Sequence, residues 1–149
     1  MTEPHANWAG KCLCGAVRYS VSGAPIAETL CYCTVCQTIA GGSPSGLVAA
    51  RRDEFHFGQG EDELQAFTMI SDAGNEITRR FCRTCGTHLS SELPSKPDRI
   101  FIKAGTLDTR DSFHPKVAIF AASAQPWHQP QFTDALATFD RAFVVQETK

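Results

Sequence analysis

The strongest constraint on the fold of this chain is the placement of its seven cysteines, which all fall into short clusters. Cys12 and Cys14 form a C-x-C pair, and Cys82 and Cys85 form a C-x2-C pair. Between the pairs lies a C-x-C-x2-C trio, formed by Cys31, Cys33 and Cys36. Zinc requires four thiolate or imidazole ligands, and two cysteines two or three positions apart on a tight turn can reach one ion together. The clustering therefore predicts metal binding.

The ligand count suggests how the cysteines are divided between metal sites. Each pair supplies two ligands and the trio supplies three, so the simplest division is one four-thiolate site and one three-thiolate site. A zinc ion with three protein ligands keeps an open coordination position, which is typical of catalytic rather than structural sites. We therefore expect two zinc ions per chain, one of them with an open position.

Three other interpretations of the cysteines stay open at this point. Free cysteines are often small buried hydrophobic residues, and Cys82 with Cys85 could form a redox dithiol. Histidine could instead complete the trio, so that both zinc ions would be structural. The candidate histidines are His56, His88, His114 and His128. A complete disulfide framework is excluded because the number of cysteines is odd.

Length, composition and charge limit the class of protein. A chain of 149 residues fits a single domain over 1–149, and 42% hydrophobic with 20% charged residues is typical of a folded globular protein. The net charge of −2 provides no basic field for nucleic acid or for an anionic membrane surface. The longest apolar run, residues 117–122, is too short to span a membrane, and the first residues do not resemble a signal peptide. We expect a cytoplasmic protein without a nucleic-acid or membrane partner.

Most of the chain has the pattern of short β-strands. Val17, Tyr19 and Val21 alternate with polar residues, which predicts a strand that leaves the first cysteine pair. Further strands are predicted over residues 27–32, 47–50, 55–57, 64–70, 76–81, 100–103 and 117–121. Helical spacing is limited to one segment, in which Phe132, Leu136, Phe139 and Phe143 recur every three or four residues. The sequence therefore predicts a mainly β domain, held together by metal, with a short C-terminal helix.

Four motifs and a late tryptophan follow one another in a specific order. They are GKCLCGAVRY at residues 10–19, CYCTVC at 31–36, RFCRTCGTHL at 80–89, GTLD at 105–108, and Trp127. In this order, the chain resembles the glutathione-dependent formaldehyde-activating enzyme family, the GFA family, which includes centromere protein V-like members. The resemblance covers roughly residues 10–128, and chance agreement over motifs of this length is improbable.

The resemblance implies a β-tent fold of folded-over antiparallel sheets with zinc-binding cysteine knuckles. It implies a structural zinc on Cys12, Cys14, Cys82 and Cys85, and a second, catalytic zinc on Cys31, Cys33 and Cys36. The middle motif of the family usually reads C-H-C-x2-C, whereas this chain has Tyr32 at the histidine position. An acid/base role of that imidazole is therefore absent here or replaced by a phenol, whose ordinary pKa is far higher.

The resemblance also implies an activity, that of a zinc-dependent carbon–sulfur lyase. The expected partners are a small thiol such as glutathione and a small aldehyde such as formaldehyde, which would form S-hydroxymethylglutathione or be released from it. The alternative is a non-catalytic zinc-binding module whose metal holds the sheets together and whose surface binds a partner. A methionine sulfoxide reductase of the zinc-bearing β-tent type is less favoured, because that class has a separate catalytic thiol and every cysteine here belongs to a cluster.

An anionic thiol compound such as glutathione needs positive charge near its binding site. Five arginines lie close to the motifs in sequence and are candidates for contacting its carboxylates: Arg51, Arg52, Arg79, Arg80 and Arg83. For any one of them, a solvated surface position is the more common situation. The sequence does not rank the five.

Overall fold

The computed structural model describes residues 7–71, 73–128 and 137–141, in which the strands form two sheets. The smaller sheet has the order β1-β2-β5, and the larger has the order β11-β10-β3-β4-β9-β8-β7-β6. The strands are Asn7–Lys11 (β1), Arg18–Ser22 (β2), Ala27–Cys31 (β3), Ser45–Arg51 (β4), Phe55–Gln59 (β5), Leu64–Ile70 (β6), Glu76–Cys82 (β7), His88–Glu92 (β8), Arg99–Lys103 (β9), Val117–Ile119 (β10) and Ala137–Thr138 (β11). The single α-helix of this described part is Thr34–Ala40 (α1).

The two sheets pack on each other through a main hydrophobic cluster, and a second, smaller cluster contains Val48, Ala104 and Leu107. In the smaller sheet β2 buries Tyr19 and Val21 and exposes the residues between them. In the larger sheet β9 contributes Ile100 and Ile102 to the same cluster. Since successive side chains of a strand point to opposite faces, Lys103 of β9 lies on the face of the larger sheet that is turned away from this core. This second face carries the cysteine trio, as described below.

Strand pairing is antiparallel in both sheets apart from β10, which pairs in parallel with β3 and with β11. The mainly β fold of folded sheets expected from the sequence is therefore confirmed. Every predicted strand is present, and three strands that were not predicted, β1, β8 and β11, complete the sheets. In the described part of the chain no helix is long and apolar enough to cross a membrane.

The helical prediction was wrong where the structure tests it. Ala137–Thr138 is the strand β11, and the backbone N–H of Phe139 donates to the carbonyl of Ala118. The other residues of the predicted C-terminal helix, Phe132, Leu136 and Phe143, lie outside the described residues. By pairing with the edge of the larger sheet, the backbone groups of residues 137–139 form hydrogen bonds with another strand. The spacing of apolar residues in the sequence does not indicate this pairing.

The observed helix, α1, is instead placed by the cysteine trio. It begins after Cys33, whose Sγ accepts a hydrogen bond from the backbone N–H of Cys36, and it ends at Gly41, whose φ of 82° is the left-handed conformation common after helices. The side-chain amide of the buried Gln37 donates to the carbonyls of Tyr32 (2.6 Å) and Ser123 (2.8 Å). With seven residues the helix is too short to show a helical repeat in the sequence, so only its caps and contacts define it.

Candidate metal centres

The first candidate centre is the four-cysteine cluster, formed by Cys12, Cys14, Cys82 and Cys85. Their sulfur atoms all lie within 4.8 Å of one another. The Sγ of Cys14 is 3.6 Å from that of Cys12 and 3.8 Å from that of Cys82. A zinc tetrahedron with Zn–S bonds of about 2.3 Å has sulfur–sulfur edges of about 3.8 Å. The geometry and the all-thiol donor set therefore fit zinc.

Two tight turns, or knuckles, bring these four sulfur atoms together. After β1, the N–H of Cys12 donates to the carbonyl of Val17, and the N–H of Val17 donates to the Sγ of Cys12 at 3.3 Å. After β7, the N–H of Gly86, whose φ is 76°, donates to the carbonyl of Cys82. A backbone amide directed at a sulfur atom stabilises its thiolate, so the first turn both orients Cys12 and favours its ionised form, while the second turn fixes the position of Cys82.

Thr87 links the two knuckles and was not identified from the sequence. Its Oγ1 accepts a hydrogen bond from the backbone N–H of Leu13 (3.1 Å) and lies 3.2 Å from the Sγ of Cys85. Burial opposes ionisation of Cys85, but the hydrogen bonds from Thr87 and Cys14 outweigh it and lower the pKa of Cys85 to about 5. A threonine hydroxyl beside a C-x2-C pair has no spacing of its own, so no sequence signal indicates this role.

The second candidate centre is the cysteine trio of Cys31, Cys33 and Cys36. Cys31 ends β3, Cys33 caps α1, and Cys36 lies in the first turn of that helix. Their sulfur atoms also lie within 4.8 Å of one another, which fits three ligands of one metal ion. Cys31 and Cys36 are buried whereas Cys33 is half-buried, so the trio is accessible from the side of Cys33.

The three thiols of the trio do not ionise independently. Hydrogen bonds from Cys31 and Cys33 lower the pKa of Cys36 to about 2, while the same contacts and burial raise the pKa of Cys31 far above its ordinary value. Without a cation the trio therefore favours a single thiolate, at Cys36. A divalent metal ion supplies the positive charge that allows all three sulfur atoms to ionise.

The other interpretations of the cysteines can now be compared with the geometry. All seven cysteines are free thiols, and each belongs to one of the two clusters. Among the described residues, no histidine or carboxylate joins the trio as a fourth ligand within the same distance. His56, His88, His114 and His128 are all described, so none of them completes the trio in this structure.

The arginines suggested by the sequence differ strongly in the structure. Four of them form ion pairs near the surface: Arg51 with Asp53 and Glu54, Arg52 and Arg80 with Glu92, and Arg83 with Glu63. Arg79 is only 4% exposed, and its Nε and Nη1 have no hydrogen-bond partner. The structure therefore singles out Arg79, which lies on the same sheet face as Lys103 and the trio.

A cavity of about 410 Å3 lies against α1, the helix that begins at the trio. It is lined by Val35, Thr38 and Ile39 of α1 and by Phe67, Met69, Phe81 and His88 of the neighbouring strands. A larger groove of about 640 Å3 is lined by residues that include Trp8, Glu28 and Asp108. No cysteine lines either space. The wall of the smaller cavity includes Val35, the residue before Cys36, so this cavity lies next to the helix that begins at the trio.

Comparisons with known proteins agree with this arrangement. A family model described as "Glutathione-dependent formaldehyde-activating enzyme" matches residues 7–123. A search of curated proteins gives no match. A crystal structure of a Rhodobacter sphaeroides protein is similar to this chain with a TM-score of 0.57 and 22% sequence identity, covering 72% of this chain and 96% of that one. At this identity the structural likeness shows the fold alone, whereas the family model spans most of the chain and both cysteine clusters. The chain therefore belongs to the glutathione-dependent formaldehyde-activating enzyme family.

Proposed function

We propose that this chain joins a small thiol to a small aldehyde at the cysteine trio, with glutathione and formaldehyde as the expected pair, or catalyses the reverse cleavage. The observation that carries the proposal is the trio itself. Three sulfur atoms lie in metal-binding distance, the described residues provide no fourth ligand, and a cavity lies against the helix that carries Cys36. Zinc bound there would keep an open position at which a thiol ionises near neutral pH.

The reaction is a simple addition. The thiol releases its proton to solvent and its sulfur forms a bond to the carbonyl carbon. The π electrons of the carbonyl move to its oxygen, and solvent returns a proton that converts this oxygen to a hydroxyl group. No oxidant or reductant is consumed, and the reverse steps break the carbon–sulfur bond. The chain's part is to hold the thiol beside the trio and to favour negative charge there, for which Lys103 and Arg79 are placed.

Tyr32 does not replace the missing imidazole as a base. The side chain is buried, and burial raises the pKa of its hydroxyl above the ordinary value. A neutral buried phenol does not accept a proton near neutral pH. Tyr32 is therefore assigned no base role, and solvent supplies the proton of the proposed reaction.

The four-cysteine cluster has a different proposed role. Cys12 and Cys82 are fully buried, and the cluster joins knuckles that follow strands of the two different sheets. Four protein ligands leave no open position on a tetrahedral zinc ion. We assign this cluster a structural zinc and the trio a catalytic one.

The proposal is tested by measuring S-hydroxymethylglutathione formation from formaldehyde and glutathione against the uncatalysed rate. We expect a rate above background for the zinc-loaded wild type and a rate at background for Cys33→Ser. Thr34→Ala, which changes an exposed neighbour of Cys33, is the matched control and should keep wild-type activity. Tyr32→His restores the usual family motif and should alter the rate. Background rates in the wild type and in Tyr32→His would reject formaldehyde and glutathione as the substrates.

One observation favours the alternative, a zinc-binding module that docks a partner. Phe67 and Ile70 of β6 are 55% and 63% exposed, and β6 is the last strand of the larger sheet in the described part of the chain. An exposed apolar edge strand is a common docking surface. If the wild-type protein binds both metals but catalyses no aldehyde–thiol addition, this role is favoured.

A further inference from the structure

Arg79 is an unusual residue for a sheet interior. It lies in β7, is almost completely buried, and has two nitrogen atoms, Nε and Nη1, that make no hydrogen bond. Among the described residues no carboxylate pairs with it, although the neighbouring Arg80 pairs with Glu92. A buried, charged donor without an acceptor is strongly unfavourable unless a ligand provides one.

Lys103 is a second cation on the same face and is half-buried. Its Nζ donates to the Oγ of Ser45 at 2.6 Å, and Ser45 lies opposite Cys31 in the β3–β4 ladder. Within the described residues the ammonium group of Lys103 forms no ion pair with a carboxylate, and its hydrogen bond goes to the hydroxyl of Ser45. Burial lowers the pKa of Lys103, and the neighbouring Cys36 opposes this shift. The lysine therefore extends from β9 toward the trio.

His88 connects these cations with the cavity. Its ring stacks on Phe81 with centroids 5.2 Å apart, and both residues line the cavity beside α1. Its Nδ1 is buried without a hydrogen-bond partner. Burial lowers the pKa of His88, and the positive charges of Lys103 and Arg79 act in the same direction. Burial and both cations therefore favour the neutral form of the imidazole.

The local charge leaves room for one anionic group. Three thiolates and one divalent ion together carry a single negative charge, whereas Arg79 and Lys103 together carry two positive charges. The region around a metal-loaded trio is therefore positive by one charge when Lys103 is protonated. In a site of low dielectric constant, such an excess strongly favours a ligand with one negative charge.

We propose that Arg79 and Lys103, with His88 at the cavity wall, form an oxyanion subsite that binds one negatively charged oxygen beside the trio. The identity of that oxygen rests on the proposed function, which offers two candidates. It is either a carboxylate carried by the aldehyde, as in the smallest 2-oxo acid, glyoxylate, or the alkoxide formed when a thiolate adds to any aldehyde. Both present the same chemistry to Arg79.

The first experiment measures binding and needs no turnover. Calorimetric titration of the zinc-loaded wild type with formate, and with its neutral isostere formamide, should show binding of formate alone. Arg79→Gln should weaken formate binding about tenfold or more, because a charge-assisted hydrogen bond is lost. Arg80→Gln is the control, since Arg80 is the adjacent residue and Arg52 remains paired with Glu92 in that variant. It should bind formate as the wild type does.

The second experiment separates the two sources. Adduct formation with glutathione is compared for glyoxylate, for methylglyoxal, which carries a methyl group in place of the carboxylate oxygen, and for formaldehyde. If the bound oxygen belongs to a substrate carboxylate, the wild type should prefer glyoxylate and Arg79→Gln should remove this preference. If the bound oxygen is the alkoxide, Arg79→Gln should lower kcat/KM for all three aldehydes by about a hundredfold and leave the order of their kcat/KM values unchanged.

The binding result decides the inference independently of the activity. Equal binding of formate and formamide by the wild type would overturn the subsite. Unchanged formate binding in a folded Arg79→Gln would also overturn it, and this is the result expected if formate binds only to the metal. If Arg79→Gln does not fold, Arg79→Lys keeps the charge and should retain formate binding within about threefold. Arg79-dependent formate binding without any aldehyde reaction would uphold the subsite and reject the proposed function.

Discussion

Thr87 shows how a single hydroxyl group can support a metal site without binding the metal. It accepts the N–H of Leu13 from the first knuckle and contacts the Sγ of Cys85 in the second. Groups that hydrogen-bond to ligands hold them in the geometry that the metal requires. The two knuckles are therefore joined by a protein contact as well as by the proposed zinc ion.

We predict that Thr87→Val weakens zinc retention by the four-cysteine cluster. Removing both hydrogen bonds should lower the affinity about tenfold or more, by analogy with other residues that orient metal ligands. Competition with a chromogenic chelator measures this change. Thr84→Val is the control, because Thr84 lies in the same turn and its hydroxyl contacts only Glu63, at 3.4 Å. Equal zinc retention in the wild type and Thr87→Val would contradict the prediction.

Gly10 is a second residue whose importance is local. A Cβ atom at this position would overlap with the ring and hydroxyl of Tyr19 and with the backbone carbonyl of Thr106. Tyr19 is buried and hydrogen-bonds the hydroxyl of Thr106 at 2.8 Å, so it has little freedom to move. The close approach of β1 to this pair therefore requires glycine.

Gly10→Ala should destabilise the fold by about 1–3 kcal/mol, the usual effect of overpacking a filled core. Gly58→Ala in β5 is the matched control, because a Cβ at Gly58 meets no atom within 4 Å. It should be neutral or slightly stabilising, since alanine restricts the unfolded chain. Urea unfolding of both variants measures the difference. Equal stability of the two would show that β1 can shift away from Tyr19.

At the level of elements, the two clusters differ in what they connect. The four-cysteine cluster joins the turn after β1 to the turn after β7, and Cys14 and Cys82 are 68 positions apart. The trio lies entirely in the junction between β3 and α1. Closing a long loop restricts the unfolded chain more than closing a short one, so metal in the first cluster should contribute more to stability.

We therefore expect Cys82→Ser to lower the melting temperature by about 10 °C or more, or to give insoluble protein. Cys33→Ser should stay folded with a much smaller shift, because only the β3–α1 junction loses its metal. Thermal melts of the two variants side by side provide the measurement. Similar destabilisation would mean that both metals are structural, and a larger effect of Cys33→Ser would reverse the proposed roles.

For the whole molecule, the fold depends on how the larger sheet is used on its two faces. One face packs on the smaller sheet through Tyr19, Val21, Ile100 and Ile102. The other face carries the trio, Lys103 and Arg79, partly covered by α1. This separation keeps the charged and metal-binding groups of the trio apart from the main hydrophobic core, so each can change without the other.

We predict two zinc ions per chain in metal-replete, reduced protein. Elemental analysis should give this ratio, and the trio cysteines should be protected from alkylation until a chelator is added. Removal of the trio metal should proceed first, because Cys33 is half-buried whereas Cys12 and Cys82 have no exposed surface. A ratio of one, with Cys31, Cys33 and Cys36 readily alkylated, would remove the catalytic metal from the proposed function.

The sequence alone determined the features that depend on short separations along the chain. Cysteines two or three positions apart share a turn whatever surrounds them, and alternating residues such as Val17, Tyr19 and Val21 define a strand by its two faces. The metal-binding clusters, the predicted strands and the family could therefore be identified before the structure was known. The predicted C-terminal helix was wrong at Ala137–Thr138 because pairing with β10 overrode a local pattern.

Only the tertiary structure decided which charged residues lie at the trio. The sequence offered five arginines as candidates for contacting an anionic ligand and did not rank them. Four of them form ion pairs at the surface, whereas Arg79 is buried and its Nε and Nη1 have no hydrogen-bond partner. Lys103 reaches the trio because β4 lies between β3 and β9, which brings Ser45 opposite Cys31 and within hydrogen-bond distance of the lysine. Burial and cross-strand register arise from contacts between distant segments, and no local pattern encodes them.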